Sequence, residues 1–212
     1  LHNGRHSFPT RRSSDLAPDF VVGTSVGSLN GAMVAENPAT APERLVNLWA
    51  SMSRQAVFGK IFGTAVNLAK GKASAVPNTG LRAVIEDAVT ARTFEELRVP
   101  HTAVTTDFDT GEPVAINSGD LVSALLASAA IPLVFPPVKR GDRKLVDGGI
   151  VANVPISIAA DQGAETIVVL DCGFTVMAPE REETATGRLL RTAAIMAAQQ
   201  VRRDLSTVGD RV

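Results

Sequence analysis

Tyrosine is absent from this chain, and aromatic residues of all kinds make up 4% of its 212 residues. So thin an aromatic complement weighs against a surface that stacks nucleic-acid bases. A net charge of −1 removes the electrostatic reason to propose nucleic acid as a partner. The single cysteine, Cys172, rules out an intrachain disulfide. A reducing compartment is compatible with that count but not demanded by it. No CxxC or His-x-x-His spacing and no calcium-binding loop is present, so no metal or cofactor is expected. Uninterrupted apolar runs fall well short of the roughly 20 residues that a membrane-spanning helix needs. A soluble protein is expected, in the cytoplasm or at the periphery of a membrane. Histidine is scarce too, with three residues, His2, His6 and His101.

What is present is ordinary globular material. Hydrophobic residues make up 45% and charged residues 20%, enough for a real core in one domain or at most two. Residues 6–16, "HSFPTRRSSDL", carry no core-forming periodicity. Arg5, Arg11 and Arg12 could be read as a small basic arm, or the stretch as a tail. A third reading fits better: the string resembles the conceptual translation of a sequencing-adapter oligonucleotide fused to an open reading frame. Residues 1–16 are therefore expected to be a non-native or disordered leader, and 17–212 a single domain that has lost its natural start.

From residue 19 the pattern alternates. "DFVVGTS" is a short buried-strand pattern, and "VGSLNGAMVAE" continues as a helix expected to end near Asn37-Pro38. Gly27, Ser28, Gly31 and Ala32 give that helix a small-residue face for close packing on a sheet. Helices are expected over 42–54, with Leu45, Leu48, Trp49 and Met52 on one side, and over "TGLRAVIEDAV" with Thr79 as N-cap. Residues 56–72 fit an amphipathic helix, read either as core-facing with solvated lysines, or as a flexible cap over a lipid site or a patch touching an anionic bilayer. "HTAVTTDF" and "PVAINSG" read as strands around a "DTGE" turn. "DLVSALLASAA" reads as a helix capped by Asp120, and "RGDR" as the tip of a strand pair. "PISIAADQG" reads as a helix, "ETIVVLD" as a buried strand and the tail from 187 as a long helix. Alternating strands and helices predict an α/β fold, three layers around a central, mostly parallel sheet. In such sheets sites gather at the carboxyl ends of strands.

Ser25 stands between Gly23 and Gly27 in Gly-x-Ser-x-Gly spacing, at a strand–turn–helix junction that suits an exposed nucleophile. The blander reading of Ser25 is a close-packed strand–helix junction or a phosphate-binding turn, although the lysine of a P-loop is missing. A serine nucleophile needs a base. His101 follows Pro100 at the start of a predicted strand, the wrong end of the sheet, and His2 and His6 lie in the leader. Asp147 lies in "KLVDGGIVANVP", at the end of an apolar strand and ahead of Gly148 and Gly149. A partly desolvated aspartate there is a stronger base than one in water. The alternative is that Asp147 merely caps the following turn, as Asp-Gly often does. The charged "KRGDR" tip could steer phosphate headgroups or be a solvated hairpin.

"GTSVGSLNGA", "VTTDFDTGE", "ASAAIPLVFPPV" and "LVDGGIVANVP" occur in the order and approximate spacing of the patatin-like phospholipases. The chain resembles that family, its small bacterial members most of all, from about residue 19 to 172. The resemblance implies a lipid acyl hydrolase in which a Ser–Asp dyad works through an acyl-enzyme without histidine. Residue matching puts those roles on Ser25 and Asp147, with Gly23, Val26, Gly27, Gly148 and Gly149 as motif and oxyanion positions. It implies a lipid or acyl-ester substrate, transient contact with a membrane surface, and no nucleic acid. Members of the family also carry a glycine-rich loop after the first strand, whose amides supply most of the oxyanion hole. The leader occupies that place here, so a missing first strand, an exposed sheet edge and impaired turnover are expected. Two other readings stay open: a non-catalytic acyl-chain-binding or regulatory domain of the same fold, and an esterase triad through His101.

Overall fold

The computed structural model describes residues 17–53, 57, 76–132, 134–170, 195, 199–206 and 208. The expected helix over 56–72 lies outside these residues apart from Val57, as does most of the expected tail helix, of which residues 199–206 are helical.

Strand β1 (Val21–Thr24) leads into helix α1 (Val26–Glu36), followed by α2 (Ala41–Ser51) and α3 (Thr79–Ala88). Strands β2 (His101–Asp107) and β3 (Pro113–Ile116) precede α4 (Leu121–Ser128). Strands β4 (Val138–Arg140) and β5 (Arg143–Asp147) and helix α5 (Ile156–Asp161) complete the described elements. The fold is α/β, a sheet flanked by helices. The strand path runs β1-β2-β5-β4, with β3 also paired to β2.

The sheet is mixed. β1 and β2 pair in parallel, while β2–β3, β2–β5 and β4–β5 are antiparallel. Loop length explains two of these three antiparallel pairs, β2–β3 and β4–β5. β1 reaches β2 through a long helical crossover, whereas β2–β3 and β4–β5 are joined by short turns that only antiparallel neighbours allow. The second turn sits at Gly141, whose φ of +59° suits a residue without Cβ.

Strand β2 is central and buried along its whole length. α1 packs across β1 and β2, and α4 across β2 and β5, with α3 against α4. Met33, Ile85, Leu125 and Leu126 fill the resulting core, each worth about 1.5–3 kcal/mol when fully buried. The close approach of α1 to the sheet depends on Gly31. A Cβ there would lie 2.8 Å from the His101 ring and 2.9 Å from Val21. Ser28, Ala32 and Ala35 are buried beside it, whereas Gly27 is exposed.

α1 stops at Glu36, ahead of Pro38, and a carboxylate clamp holds its end. Glu36 Oε1 accepts from the amides of Thr90 and Ala91 and from Thr90 Oγ1, while Oε2 meets Arg44 at 2.6 Å. Burial works to raise the Glu36 pKa, but the hydrogen bonds from Ala91, Thr90 and Arg44 together hold it below the usual carboxylate range. Asp120 caps α4 by accepting from the Ser123 amide at 2.7 Å. In α3 the N-cap is Asn78 and not Thr79, with no side-chain capping bond. On α2, Leu45 and Leu48 pack on the core while Trp49 is half-exposed and donates to Asn30 Oδ1.

The expected buried strand "ETIVVLD" does not form over its described part, residues 165–170. Val168 and Leu170 are 65% and 87% exposed. An apolar run becomes a buried strand only beside a neighbour that takes up its amides and carbonyls, and none of the described strands pairs with this one.

Candidate functional site

Ser25 sits where β1 turns into α1. Its φ of +54° and ψ of −123° make it the only non-glycine residue with positive φ among the described residues. Holding a serine there costs about 1–3 kcal/mol. The turn is tight because Gly23 lies under Gly27. A Cβ on Gly23 would come within 2.3 Å of the Gly27 carbonyl oxygen. By contrast, a Cβ on Gly27 would meet nothing within 4 Å, so that glycine faces open space.

A serine ahead of a helix usually caps it through its side chain. Ser25 makes no such bond. Its hydroxyl donates instead to Asp147 Oδ2 at 2.7 Å, across 122 positions of chain. The sheet register brings the two together. Thr24 pairs with Val104 on one side of β2, and Asp147 pairs with Thr105 on the other.

Asp147 is buried at the end of β5. One carboxylate oxygen accepts from Ser25, and the other, Oδ1, accepts from the Gly149 amide at 2.7 Å. The turn-capping reading of Asp147 and its pairing with Ser25 therefore hold together, one oxygen each. Burial raises the Asp147 pKa, more than the hydrogen bonds from Ser25 and Gly149 lower it. The next residue has to be glycine, since a Cβ on Gly148 would lie 2.3 Å from the Val104 carbonyl oxygen. At Gly149 a Cβ would press on Asp147 Oδ1 at 3.0 Å. Close approach, and not positive φ, explains these two glycines, neither of which has a positive φ.

A hydroxyl donating to a buried carboxylate of raised pKa is arranged for proton transfer. The Val26 and Gly27 amides open α1, while the Ser28 and Leu29 amides bond back to the Ser25 carbonyl. The first amides of a helix have no partner within it and favour negative charge nearby. Val26, Ile150 and Ile131 are 46%, 50% and 39% exposed. Each is adjacent in chain to this site, Val26 after Ser25, Ile150 after Gly149, and Ile131 after Ala130, whose carbonyl accepts the Asp147 amide.

His101 is not part of the site. It pairs with Val21, at the opposite end of β1 from Ser25, four residues and about 13 Å away along the strand. Its ring is buried against Phe94, with Nδ1 3.2 Å from the Val21 carbonyl. That placement overturns the triad reading. The basic hairpin tip is tied down in part. Arg140 donates to the Ser118 and Asp120 carbonyls, Lys144 lies 3.5 Å from Asp109, and Arg143 lies 3.8 Å from Asp107.

Sequence reasoning assigned no role to Ser128, though it stands in the quoted "ASAAIP" block. Its hydroxyl accepts from the Ser25 amide at 2.9 Å and donates to the Val104 carbonyl at 2.7 Å. The sequence offered only a hydroxyl within a run of apolar residues, which does not say what that hydroxyl meets.

Residues 11–160 match the family description "Patatin-like phospholipase". Patatin-like phospholipase domain-containing protein 7 of Mus musculus is 27% identical over 158 residues, 73% of this chain and 11% of that protein. Patatin-like phospholipase domain-containing protein 6 of Homo sapiens is 28% identical over 158 residues, with the same coverage of 73% and 11%. An uncharacterized NTE family protein of Mycobacterium tuberculosis (strain CDC 1551 / Oshkosh) is 34% identical over 98 residues, 46% of this chain and 27% of that protein. The chain thus spans about a tenth of the length of the first two relatives. On the strength of the family match, this chain belongs to the patatin-like phospholipases.

Proposed function

We propose that this chain is a lipid acyl hydrolase that works through a Ser25–Asp147 dyad. The observation that carries the reading is the 2.7 Å hydrogen bond from Ser25 Oγ to Asp147 Oδ2 at a strained strand–helix turn. Family membership supports the reaction class.

In the first step Asp147 takes the proton of the Ser25 hydroxyl as Oγ bonds to the ester carbonyl carbon. Negative charge moves to the carbonyl oxygen. The Ser25 amide is committed to Ser128, so the Val26 amide at the start of α1 is the donor for that oxyanion. As the intermediate collapses, the ester C–O bond breaks and the proton on Asp147 passes to the leaving alcohol, a lysophospholipid where the substrate is a phospholipid. Water then gives a proton to Asp147 and attacks the acyl carbon. Ser25 Oγ leaves and recovers that proton, and a fatty acid is released.

The substrate class rests on the rim. Val26, Ile131 and Ile150 are exposed and lie next in chain to residues of the site, as suits an acyl chain or transient contact with a membrane surface. No described helix is long and apolar enough to cross a membrane.

A second reading is a domain of this fold that binds acyl chains without turning them over, which the exposed Val26, Ile131 and Ile150 next to the site would equally suit. A fluorophosphonate probe separates the two readings. Covalent labelling that disappears in Ser25→Ala is the hydrolase outcome, whereas an unlabelled wild-type chain that still binds a fatty acid is the other.

A further inference from the structure

Ser25 and Asp147 are held by more than the bond between them. Ser25 donates its backbone amide to the last residue of α4, and Asp147 donates its own to the stretch that follows that helix. Ser25 N–H bonds to Ser128 Oγ at 2.9 Å, and Asp147 N–H to the Ala130 carbonyl at 3.0 Å. The polarity at Ser128 is unambiguous. A carbonyl only accepts, so the Ser128 hydroxyl proton goes to Val104 O, 2.7 Å away on β2. An amide only donates, so the lone pair of Ser128 Oγ receives Ser25 N–H. Ser128 is fully buried, and the replacement of its hydroxyl by water would need space that the packed helix does not offer.

The Val104 carbonyl is also the wall against which Gly148 packs, at 2.3 Å from the position of a Cβ. One peptide of β2 thus sets the place of both arms. It fixes Ser25 through the Ser128 hydroxyl, and it fixes the chain after Asp147 by direct contact. The strained φ of +54° at Ser25 has to be held by neighbours that over-determine it, and the Ser25 amide is the atom through which Ser128 does so.

We propose that Ser128 is a positioning residue for the hydrolysis, a hydroxyl relay that locks the Ser25 amide to β2 and so sets the distance from Ser25 Oγ to Asp147. It touches no reacting atom. This rests on the hydrolase reading above for its kinetic consequence, but not for its geometry. Loss of the relay lets the elbow relax, and displacement of a nucleophile by about 1 Å lowers turnover on the order of 100-fold. Substrate binding on the exposed rim is left as it was.

The test uses Ser128→Ala, with Ser128→Cys as a near-isosteric second variant of weak hydrogen-bonding power and Ser128→Thr to restore the hydroxyl. Two readouts are taken on folded protein: amide hydrogen exchange at Ser25, and kcat and KM on a p-nitrophenyl ester together with the rate of fluorophosphonate labelling. The expected result is Ser25 amide exchange at least 10-fold faster in the Ala or Cys variant, with kcat and labelling down about 100-fold and KM within about two-fold. Ser128→Thr should recover most of both. Unchanged Ser25 exchange in both variants overturns the proposal, as does an unchanged kcat. If the wild-type chain is neither active nor labelled, the hydrolase reading fails on its own, and the exchange readout alone decides whether Ser128 holds the elbow.

Discussion

Ser25 and Asp147 end two strands that do not pair with each other. β1 and β5 flank β2 on opposite sides, and the registers Thr24 with Val104 and Asp147 with Thr105 bring the two ends to one rim, 2.7 Å apart between Oγ and Oδ2. The central strand is therefore the ruler for the site. Asp147→Asn keeps the size of the side chain and removes its basicity. Turnover of a p-nitrophenyl ester is expected to fall by about 100- to 10,000-fold, with the melting temperature little changed. Retention of near wild-type turnover in the folded variant would remove Asp147 from the mechanism.

Burial raises the Asp147 pKa above the ordinary carboxylate value of 3.8. The base must be ionised to take the serine proton, so kcat/KM is expected to rise with pH through that raised pKa and then level. The acid limb should lie at higher pH than an unperturbed aspartate gives. A profile already flat down to the ordinary carboxylate range would contradict a desolvated base.

The backbone strain at Ser25 makes its own prediction. Alanine at φ +54° keeps the strain and loses the bond to Asp147, whereas glycine is at ease there. Ser25→Gly should therefore be the more stable of the two variants by about 1 kcal/mol, a melting difference of roughly 2–4 °C for a chain of this size. Equal melting temperatures would mean that the turn relaxes without cost.

The two glycines of Gly-x-Ser-x-Gly should behave differently. Gly23→Ala forces a Cβ to within 2.3 Å of the Gly27 backbone. The elbow must move, and labelling of Ser25 should be lost along with about 1–3 kcal/mol of stability. Gly27→Ala meets open space and should leave stability unchanged or raise it by less than about 1 kcal/mol. If Gly27→Ala is stable but slow, the open space beside the turn is needed by substrate.

Some of this was legible in the sequence for local reasons. The strand–turn–helix over 21–36 shows in an apolar run meeting small residues, the end of α1 in Pro38, the cap of α4 in Asp120, and the β4–β5 hairpin at Gly141. Each is decided within a few residues. Ser128 was not legible, because its role exists only once α4 lies across β2 and brings its hydroxyl between Val104 and Ser25. The run "ETIVVLD" misled for the converse reason. Its composition is that of a strand, but a strand needs a partner, and residues 165–170 have none among the described strands. The antiparallel β2–β3 and β4–β5 pairs follow from short turns that the sequence already contained, whereas the β2–β5 pair joins strands far apart in the chain and has no such local signal.

His101 makes folding stability depend on pH. Its ring is 2% exposed, and burial pushes its pKa down to about 4 from an ordinary 6.5. The unfolded chain takes up a proton as pH falls through 6.5, while the folded chain declines it until about 4. Stability is therefore fully present above 6.5 and is lost progressively as pH falls through that window, about 2 kcal/mol of it between pH 7 and pH 5. Asp147 acts in the opposite sense, since its raised pKa lets the folded state bind a proton first. The histidine contribution is therefore isolated by difference. Urea unfolding of wild type and His101→Gln at pH 7 and pH 5 should show the variant less stable at pH 7 but with a drop on acidification smaller by about 2 kcal/mol. Parallel pH dependence in the two proteins would mean that His101 takes up its proton inside the folded state at no penalty, in conflict with its burial between α1 and β1.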